Sequence, residues 1–305
     1  MAVVTSDFLS GLFTTFHAVW EQAFLAATSV VQYQRYITEV TSDTDTESYN
    51  WLGTVPQMRE WTDVRQLNGL PAYNFSIQNK KYEDTIEVNR TTLADDKYNS
   101  IMPRIQQLGQ EAARYPAVLA AQLLTSGATS LAYDGSNFFD TTHSEGTSGT
   151  QSNKLTGTGV TLAAVRADLV NARTTMRRYK DNAGRPMNIA PDLVIIPPDL
   201  QDVFEQLINT NIIALSSGTQ QSNVLIGAVD ILVDANLTDV NDWFLLSTNN
   251  IMKPLIMQIR EQATFSARDN PTDSVVFNTD KYAYGVRARW GFGGAFWSMA
   301  IQTTN

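Results

Sequence analysis

Apolar and polar residues alternate with period two along much of the stretch from Trp51 to Arg90. The run Trp51-Leu52-Gly53-Thr54-Val55-Pro56-Gln57-Met58-Arg59-Glu60-Trp61 is followed by Tyr73-Asn74-Phe75-Ser76-Ile77. A third run follows, Tyr82-Glu83-Asp84-Thr85-Ile86-Glu87-Val88-Asn89-Arg90. Such alternation predicts half-buried strands rather than helix. Asn68-Gly69 and Pro71 punctuate the middle, as a hairpin turn requires. A long two-stranded ribbon is marginal alone in water. Trp51, Met58, Trp61, Tyr73, Phe75 and Ile77 exceed what an isolated hairpin buries, so much of their burial is expected from a neighbouring chain. The pattern points to assembly rather than catalysis.

Elsewhere the period is helical. In residues 8–25, Phe8, Leu12, Phe16, Val19 and Phe24 share one side, and Leu9, Phe13 and Trp20 widen the stripe. This helix belongs either to the core or to an N-terminal arm docked on a neighbour. Residues 91–96 make a plausible helix entry. Ile101, Ile105, Leu108, Ala112, Tyr115, Leu119 and Leu123 then repeat at fours and threes, with Gly127 as a stop. Pro116 interrupts this stripe, and its missing N–H and ring clash predict a bend.

Residues 133–159 are loop-like. A further helix carries Leu162, Val165, Leu169, Ala172 and Met176, with Arg177, Arg178 and Lys180 in its last turn and Asn182-Ala183-Gly184 ending it. Leu193-Val194-Ile195-Ile196 reads as a buried strand closed by Pro197-Pro198, and Asp199 can cap a helix bearing Leu200, Val203, Phe204 and Leu207. Residues 226–233 and 243–246 read as strands. So do 255–259, 274–277, 282–290 and 295–301 in a tail that is strand-like throughout.

Lys and Arg number 22 against 31 Asp and Glu, a formal charge of −9. Phosphate contacts need clustered Lys and Arg, so an acidic chain is a poor default nucleic-acid binder. Charged residues are 17% of the chain, below the roughly 25% typical of soluble domains. Thr, Ser, Asn and Gln fill the gap, a neutral polar surface suited to large protein contacts. The absence of Cys excludes disulfides, thiolate metal sites and Cys nucleophiles. The first residues lack a basic signal region, and no apolar run reaches the ~18 residues of a membrane span. The expected compartment is a cytoplasm, with no membrane contact.

Catalytic constellations are sparse. Only His17 and His143 are available, and no Gly-x-Ser-x-Gly elbow, phosphate-cradling loop or His-Glu-x-x-His accompanies them. The run Gly291-Phe292-Gly293-Gly294 reads as a bulge or turn between strands. The best metal candidate is Asp134 with Ser136, Asn137, Asp140, His143 and Glu145. Asp134 and Glu145 have the first-to-last spacing of a calcium loop, but Phe138 and Phe139 stand where a ligand and the turn glycine belong. The other reading is an Asx-type turn over a buried Phe pair. No cofactor is expected.

Three stretches carry a resemblance. The first is Trp51-Leu52-Gly53 … Pro56-Gln57-Met58-Arg59-Glu60-Trp61 … Arg65, continued by Asn79-Lys80-Lys81-Tyr82-Glu83-Asp84-Thr85-Ile86 … Arg90. The others are Tyr133-Asp134-Gly135-Ser136-Asn137-Phe138-Phe139-Asp140-Thr141-Thr142-His143 and Pro191-Asp192-Leu193-Val194-Ile195-Ile196-Pro197-Pro198. Over roughly residues 50–305 the chain resembles the Mu-like prophage major head subunit (gpT) family. The resemblance implies an α+β chain with the Hong Kong 97 phage-type capsid fold. Its parts would be an N-terminal arm (1–45), an E-loop hairpin (46–91), a peripheral domain with the spine helix and following loop (92–159), an axial domain (160–262) and returning peripheral strands (263–305). A long scaffold-like N-terminal segment is not seen, so scaffolding is expected from a separate protein or from a piece already removed.

The function implied is that of a major capsid protein, not an enzyme. It would self-assemble into pentamers and hexamers of an icosahedral virion head in the host cytoplasm. Its partners would be further copies, scaffolding, portal and decoration proteins, and packaged double-stranded DNA held without sequence-specific binding. Expected inter-subunit contacts in the E-loop are Trp51, Met58, Arg59, Glu60, Trp61, Arg65, Tyr73, Phe75, Lys80 and Lys81. Lys80 and Lys81 read as solvated charges, with crosslinking nucleophiles as the alternative. Two rivals stand beside this reading: an encapsulin-like compartment shell, and a cytoplasmic carboxylate-dependent hydrolase.

Overall fold

A computed structural model describes residues 6–53, 75–95, 100–214 and 220–305. In chain order the elements are α1 (Ser6–Thr28), β1 (Ile37–Thr41), β2 (Thr46–Ser48), β3 (Ser76–Gln78), β4 (Lys80–Asn89), α2 (Arg90–Asp95) and α3 (Ile101–Thr125). Next come β5 (Lys154–Thr156), α4 (Leu162–Arg178), β6 (Leu193–Ile196), α5 (Gln201–Asn209), β7 (Ile212–Ala214), β8 (Gln220–Ser222), β9 (Asp230–Val233) and β10 (Trp243–Leu246). The chain ends with β11 (Leu255–Arg268), α6 (Ser274–Thr279), β12 (Lys281–Gly294) and β13 (Ala300–Thr304).

A four-stranded sheet in the order β1-β11-β12-β4 forms one layer. Along β12, Tyr282, Tyr284, Val286, Ala288 and Trp290 are buried at every second position, as a half-buried strand requires. One cluster on this sheet joins Tyr284, Val286 and Phe265 to Phe16 and Trp20 of α1 and to Ile101, Ile105 and Leu108 of α3. Phe16 meets Tyr284 edge-on at 5.0 Å between ring centroids. The apolar face of α1 is therefore packed on its own chain.

A five-stranded sheet has the order β5-β13-β10-β6-β9. Its central strands β6 and β10 are buried at every residue. Helix α4 covers the sheet with Val165, Leu169, Ala172 and Met176, and α5 with Phe204, Leu207 and Ile208. Thr161 caps α4, its side chain accepting from the Ala164 amide. The main core runs from this sheet into the adjoining ends of β11 and β12 and includes Phe75, Ile77 and the pair Phe138 and Phe139.

Several expectations change. Residues 80–89 are not one arm of a free hairpin: β4 pairs along its length with β12. Local alternation identifies a strand but not its partner. The stretch 1–45 is more than an arm, since Ile37–Thr41 pairs in parallel with β11. Strand β11 runs through 262/263, and β13 lies in the five-stranded sheet between β5 and β10. Residues 274–277 form helix, not strand, because Asp273 caps α6 by accepting from the Val275 amide at 2.8 Å. Residues 154–156, read as loop, form a strand.

Helix α3 is continuous through Pro116 to Thr125. Its buried stripe shifts by one residue in the second half, to Ala113, Pro116, Ala120 and Leu124. Small residues there allow close approach, and Tyr115 is left partly exposed. Gly109 does the same against α1, where an added Cβ would lie 2.6 Å from the Trp20 carbonyl oxygen. Asp199 makes no side-chain cap to α5. Asn182-Ala183-Gly184 forms a turn after α4 has ended, held by Asp181 accepting from the Ala183 and Arg185 amides. Gly291, Gly293 and Gly294 are neither bulge nor turn. They lie within β12, and a Cβ at Gly293 would meet the Ile77 side chain at 2.5 Å.

Candidate assembly surface

The ribbon expected to reach a neighbour is anchored by residues that are buried in their own chain. Strands β2 and β3 pair in antiparallel register, Thr46 opposite Gln78 and Ser48 opposite Ser76. Beside them the buried Asn79 donates to the Ser42 hydroxyl at 2.8 Å and to the Thr44 carbonyl at 2.9 Å. Gln258 of β11 donates to the Ile77 carbonyl at 3.2 Å and to Asn79 Oδ1 at 3.1 Å. Arg260 reaches the Ser42 carbonyl and Arg289 the Asp45 carboxylate, each within 3.2 Å. Of these, Ser42, Asn79 and Gln258 are buried, and buried polar groups tied in this way fix one geometry, because a displaced member is left unsatisfied.

Glu47 closes the adjoining turn. Its Oε1 accepts from the Ser42 hydroxyl and from the Asp43 and Thr44 amides at 2.9–3.0 Å. Hydrogen bonds from Thr44 first, then Ser42, lower its pKa from 4.5 to about 2. None of these ties was legible in the sequence, where Asp43 to Ser48 reads as a polar break.

The expected contact residues divide into three groups. Phe75 and Ile77 are buried in the main core of their own chain, so their burial does not come from a neighbour. Trp51 is 56% exposed where the chain leaves the anchored base, edge-on to Tyr49. Lys80 and Lys81 are exposed at the start of the edge strand β4, opposite Trp290 and Arg289 of β12. Met58, Arg59, Glu60, Trp61, Arg65 and Tyr73 lie outside the described residues. Strand β4 borders a groove of about 320 Å³ against α3, floored by Tyr82, Tyr115 and Trp290 and rimmed by Glu83, Asp84 and Glu111.

The cluster weighed as a metal loop is a buried tie. Asp134 Oδ1 accepts from the Ser136 amide at 3.1 Å, which is an Asx turn. Its Oδ2 lies 2.6 Å from His143 Nδ1, with both side chains buried. Asn153 Nδ2 donates to the carbonyls of Phe138, Trp297 and Ala300, which fixes Oδ1 as the acceptor facing His143 Nε2 at 3.0 Å. The imidazole stacks on Trp297 at 4.1 Å. Asp140 turns away to accept from the Thr142 hydroxyl and the Thr141 and Thr142 amides, which lowers its pKa, the Thr142 hydroxyl contributing most. Tyr133 donates to Glu145. Among the described residues no three His, Asp or Glu side chains converge as a metal requires. The Asp134–His143 pair is buried within the loop, and Asn153 and the His143 stack on Trp297 tie that loop to the C-terminal segment. No helix among the described residues is long and apolar enough to cross a membrane.

Comparison with known proteins gives one answer along the whole chain. The family model described as Mu-like prophage major head subunit gpT matches residues 9–166, 159–237 and 234–305. The Mu-like prophage FluMu major head subunit of Haemophilus influenzae is 27% identical over 98% of this chain and 74% of that protein. The major capsid protein of Escherichia phage Mu is 24% identical with the same coverage of both. The solved procapsid of bacteriophage JBD30 matches with a TM-score of 0.58 and 26% identity, covering 99% of this chain and 76% of that one. These relatives are structural proteins of phage heads, not enzymes. The α+β architecture, with its two sheets and the long helix α3, is thus the Hong Kong 97 phage-type capsid fold. The chain belongs to the Mu-like prophage major head subunit gpT family and is a major capsid protein of a tailed phage, a component of the virion.

Proposed function

We propose that copies of this subunit assemble in the host cytoplasm into pentamers and hexamers that close an icosahedral head around double-stranded DNA. The observation that carries this reading is the anchored base of the ribbon. Residues 54–74 leave and return between β2 and β3, whose positions are fixed on β11 and β12 by Asn79, Gln258, Arg260 and Arg289. A rigid base aims that stretch, and Met58, Arg59, Glu60, Trp61, Arg65 and Tyr73 supply it with apolar area and both signs of charge for contact with the next copy. Burying a large side chain is worth about 1.5–3 kcal/mol, so several make a strong contact. The exposed Trp51, Lys80 and Lys81, near the base, would add to that contact. Scaffolding, portal and decoration proteins would be its partners in building and finishing the shell. The DNA would be held without sequence-specific contacts.

Electron microscopy of particles from cells expressing the chain, with and without its phage partners, tests this reading. Closed icosahedral shells, filled with DNA when packaging partners are present, are the expected result. Monomers or dimers at high concentration would overturn it. Small shells filled with a protein cargo would favour a cellular compartment instead.

A further inference from the structure

Two charged rows stand on the five-stranded unit; within the acidic one, Glu205 accepts from Gln201 Nε2 at 2.7 Å. On α4, Arg166, Val170, Arg173 and Arg177 fall at i, i+4, i+7 and i+11, which places them on one side of the helix. Val170 is 41% exposed in the middle of this row. The Nε atoms of Arg166 and Arg173 are buried without an acceptor. Burial, and then the neighbouring Arg177 charge, lower the pKa of Arg173. On α5 and the turn that leads into it, Asp199, Asp202 and Glu205 form an exposed acidic row. The α4 and α5 helices pack against each other. Even so, among the described residues no ion pair involves either row. Like charges set side by side are unfavourable unless an opposite charge from outside offsets them.

Opposite rows on one compact unit suit a head-to-tail contact between copies, which closes into a ring when the rotation per copy allows it. Arginine's planar fork pairs with carboxylates through two hydrogen bonds, and an apolar residue flanked by charge is the usual anatomy of a protein contact. We propose that the α4 arginine row of one copy docks on the α5 acidic row of the next copy and sets the closure of the capsomer ring. The inference rests on the assembly reading above and names the surfaces it uses. Packaged nucleic acid is the other candidate for the arginine row, but phosphates leave the acidic row unexplained. A second copy accounts for both.

The test is a charge swap. One variant carries Arg166→Glu, Arg173→Glu and Arg177→Glu; another carries Asp199→Lys, Asp202→Lys and Glu205→Lys; a third carries all six. Each triple variant is expected to lose closed shells by about tenfold or more, because like charges then face each other across the contact. The sixfold variant restores complementarity with the signs exchanged and is expected to recover most of the yield. Unchanged yield in both triple variants, or no recovery in the sixfold one, would overturn the proposal. So would an arginine variant that forms normal shells but retains less DNA. If a triple variant fails to fold, the exposed pair Arg177→Glu and Asp202→Lys, singly and together, reads the same loss and recovery. Failure of the unchanged chain to form any shell would count against the assembly reading itself and not against this contact alone.

Discussion

Gly109 of α3 lies directly against Trp20 of α1, so closely that a Cβ at Gly109 would stand 2.6 Å from the Trp20 carbonyl oxygen and 3.2 Å from the Ala23 side chain. The first obstacle is backbone, which cannot rotate away. Gly109→Ala should therefore force the two helices apart and destabilise the subunit by about 1–3 kcal/mol, the usual cost of overpacking. Chemical denaturation of the unassembled subunit checks this. Unchanged stability would mean that the two helices are not held at this distance.

The Asp134–His143 pair predicts a second loss. His143→Ala would leave a buried carboxylate without its partner, remove the stack on Trp297 and take from Asn153 Oδ1 one of its two partners, the Asp140 amide remaining. Breaking a buried pair typically costs ~3–5 kcal/mol. The same denaturation measurement should show this loss while the secondary structure remains.

Glu47 sets an acid limit on the ribbon base. Its pKa is lowered from 4.5 to about 2 by hydrogen bonds, Thr44 first. The carboxylate form is thus favoured by the fold. Its contribution is complete above the unfolded value of 4.5 and is lost as pH falls toward 2. The turn through Ser42 and Thr44 should loosen over that window, read from amide chemical shifts of Asp43 and Thr44. In Glu47→Gln the acid-dependent change attributable to this group should disappear.

Much of this fold was legible in the sequence, for physical reasons that can be named. The α4 face of Val165, Leu169, Ala172 and Met176 and the buried run of β6 follow local periodicity, and both emerge as read. The alternation of Tyr82, Ile86 and Val88 identified β4 as a strand, but its partner β12 lies far along the chain, and no local pattern names a distant partner. The helix α6 was hidden because Val275, Val276 and Phe277 favour strand, while the Asp273 cap decides otherwise. The buried polar ties of Ser42, Asn79 and Gln258, which form the base of the proposed assembly surface, carry no sequence signature.

Pro116 is buried within a helix that continues on both sides of it. Its ring nitrogen cannot donate to the carbonyl one turn back, which costs ~3 kcal/mol if nothing relieves it. A static bend at Pro116 that suits the local packing is therefore expected. Pro116→Ala shells should accordingly form and expand as the unchanged shells do. Shells that form and then fail to expand would identify a hinge, and a straight axis through Pro116 in a high-resolution map would exclude a bend of either kind.

The division of the ribbon predicts how it tolerates deletion. Replacing residues 54–74 with a short Gly-Ser linker should leave a subunit that melts near the unchanged one yet forms no closed shells. Removing 52–88 should instead abolish folding, since it takes away β4, Phe75 and Ile77, each large buried side chain being worth about 1.5–3 kcal/mol. Thermal melts followed by circular dichroism, with particle imaging of the same samples, separate the two outcomes.

A side-chain-resolution cryo-electron microscopy map of the assembled shell shows where each segment of the ribbon lies. In every copy residues 80–89 should pair with that copy's own β12 while residues 54–74 lie on an adjacent subunit. A map in which 54–74 fold back onto their own subunit, with shell contacts made elsewhere, would contradict that arrangement.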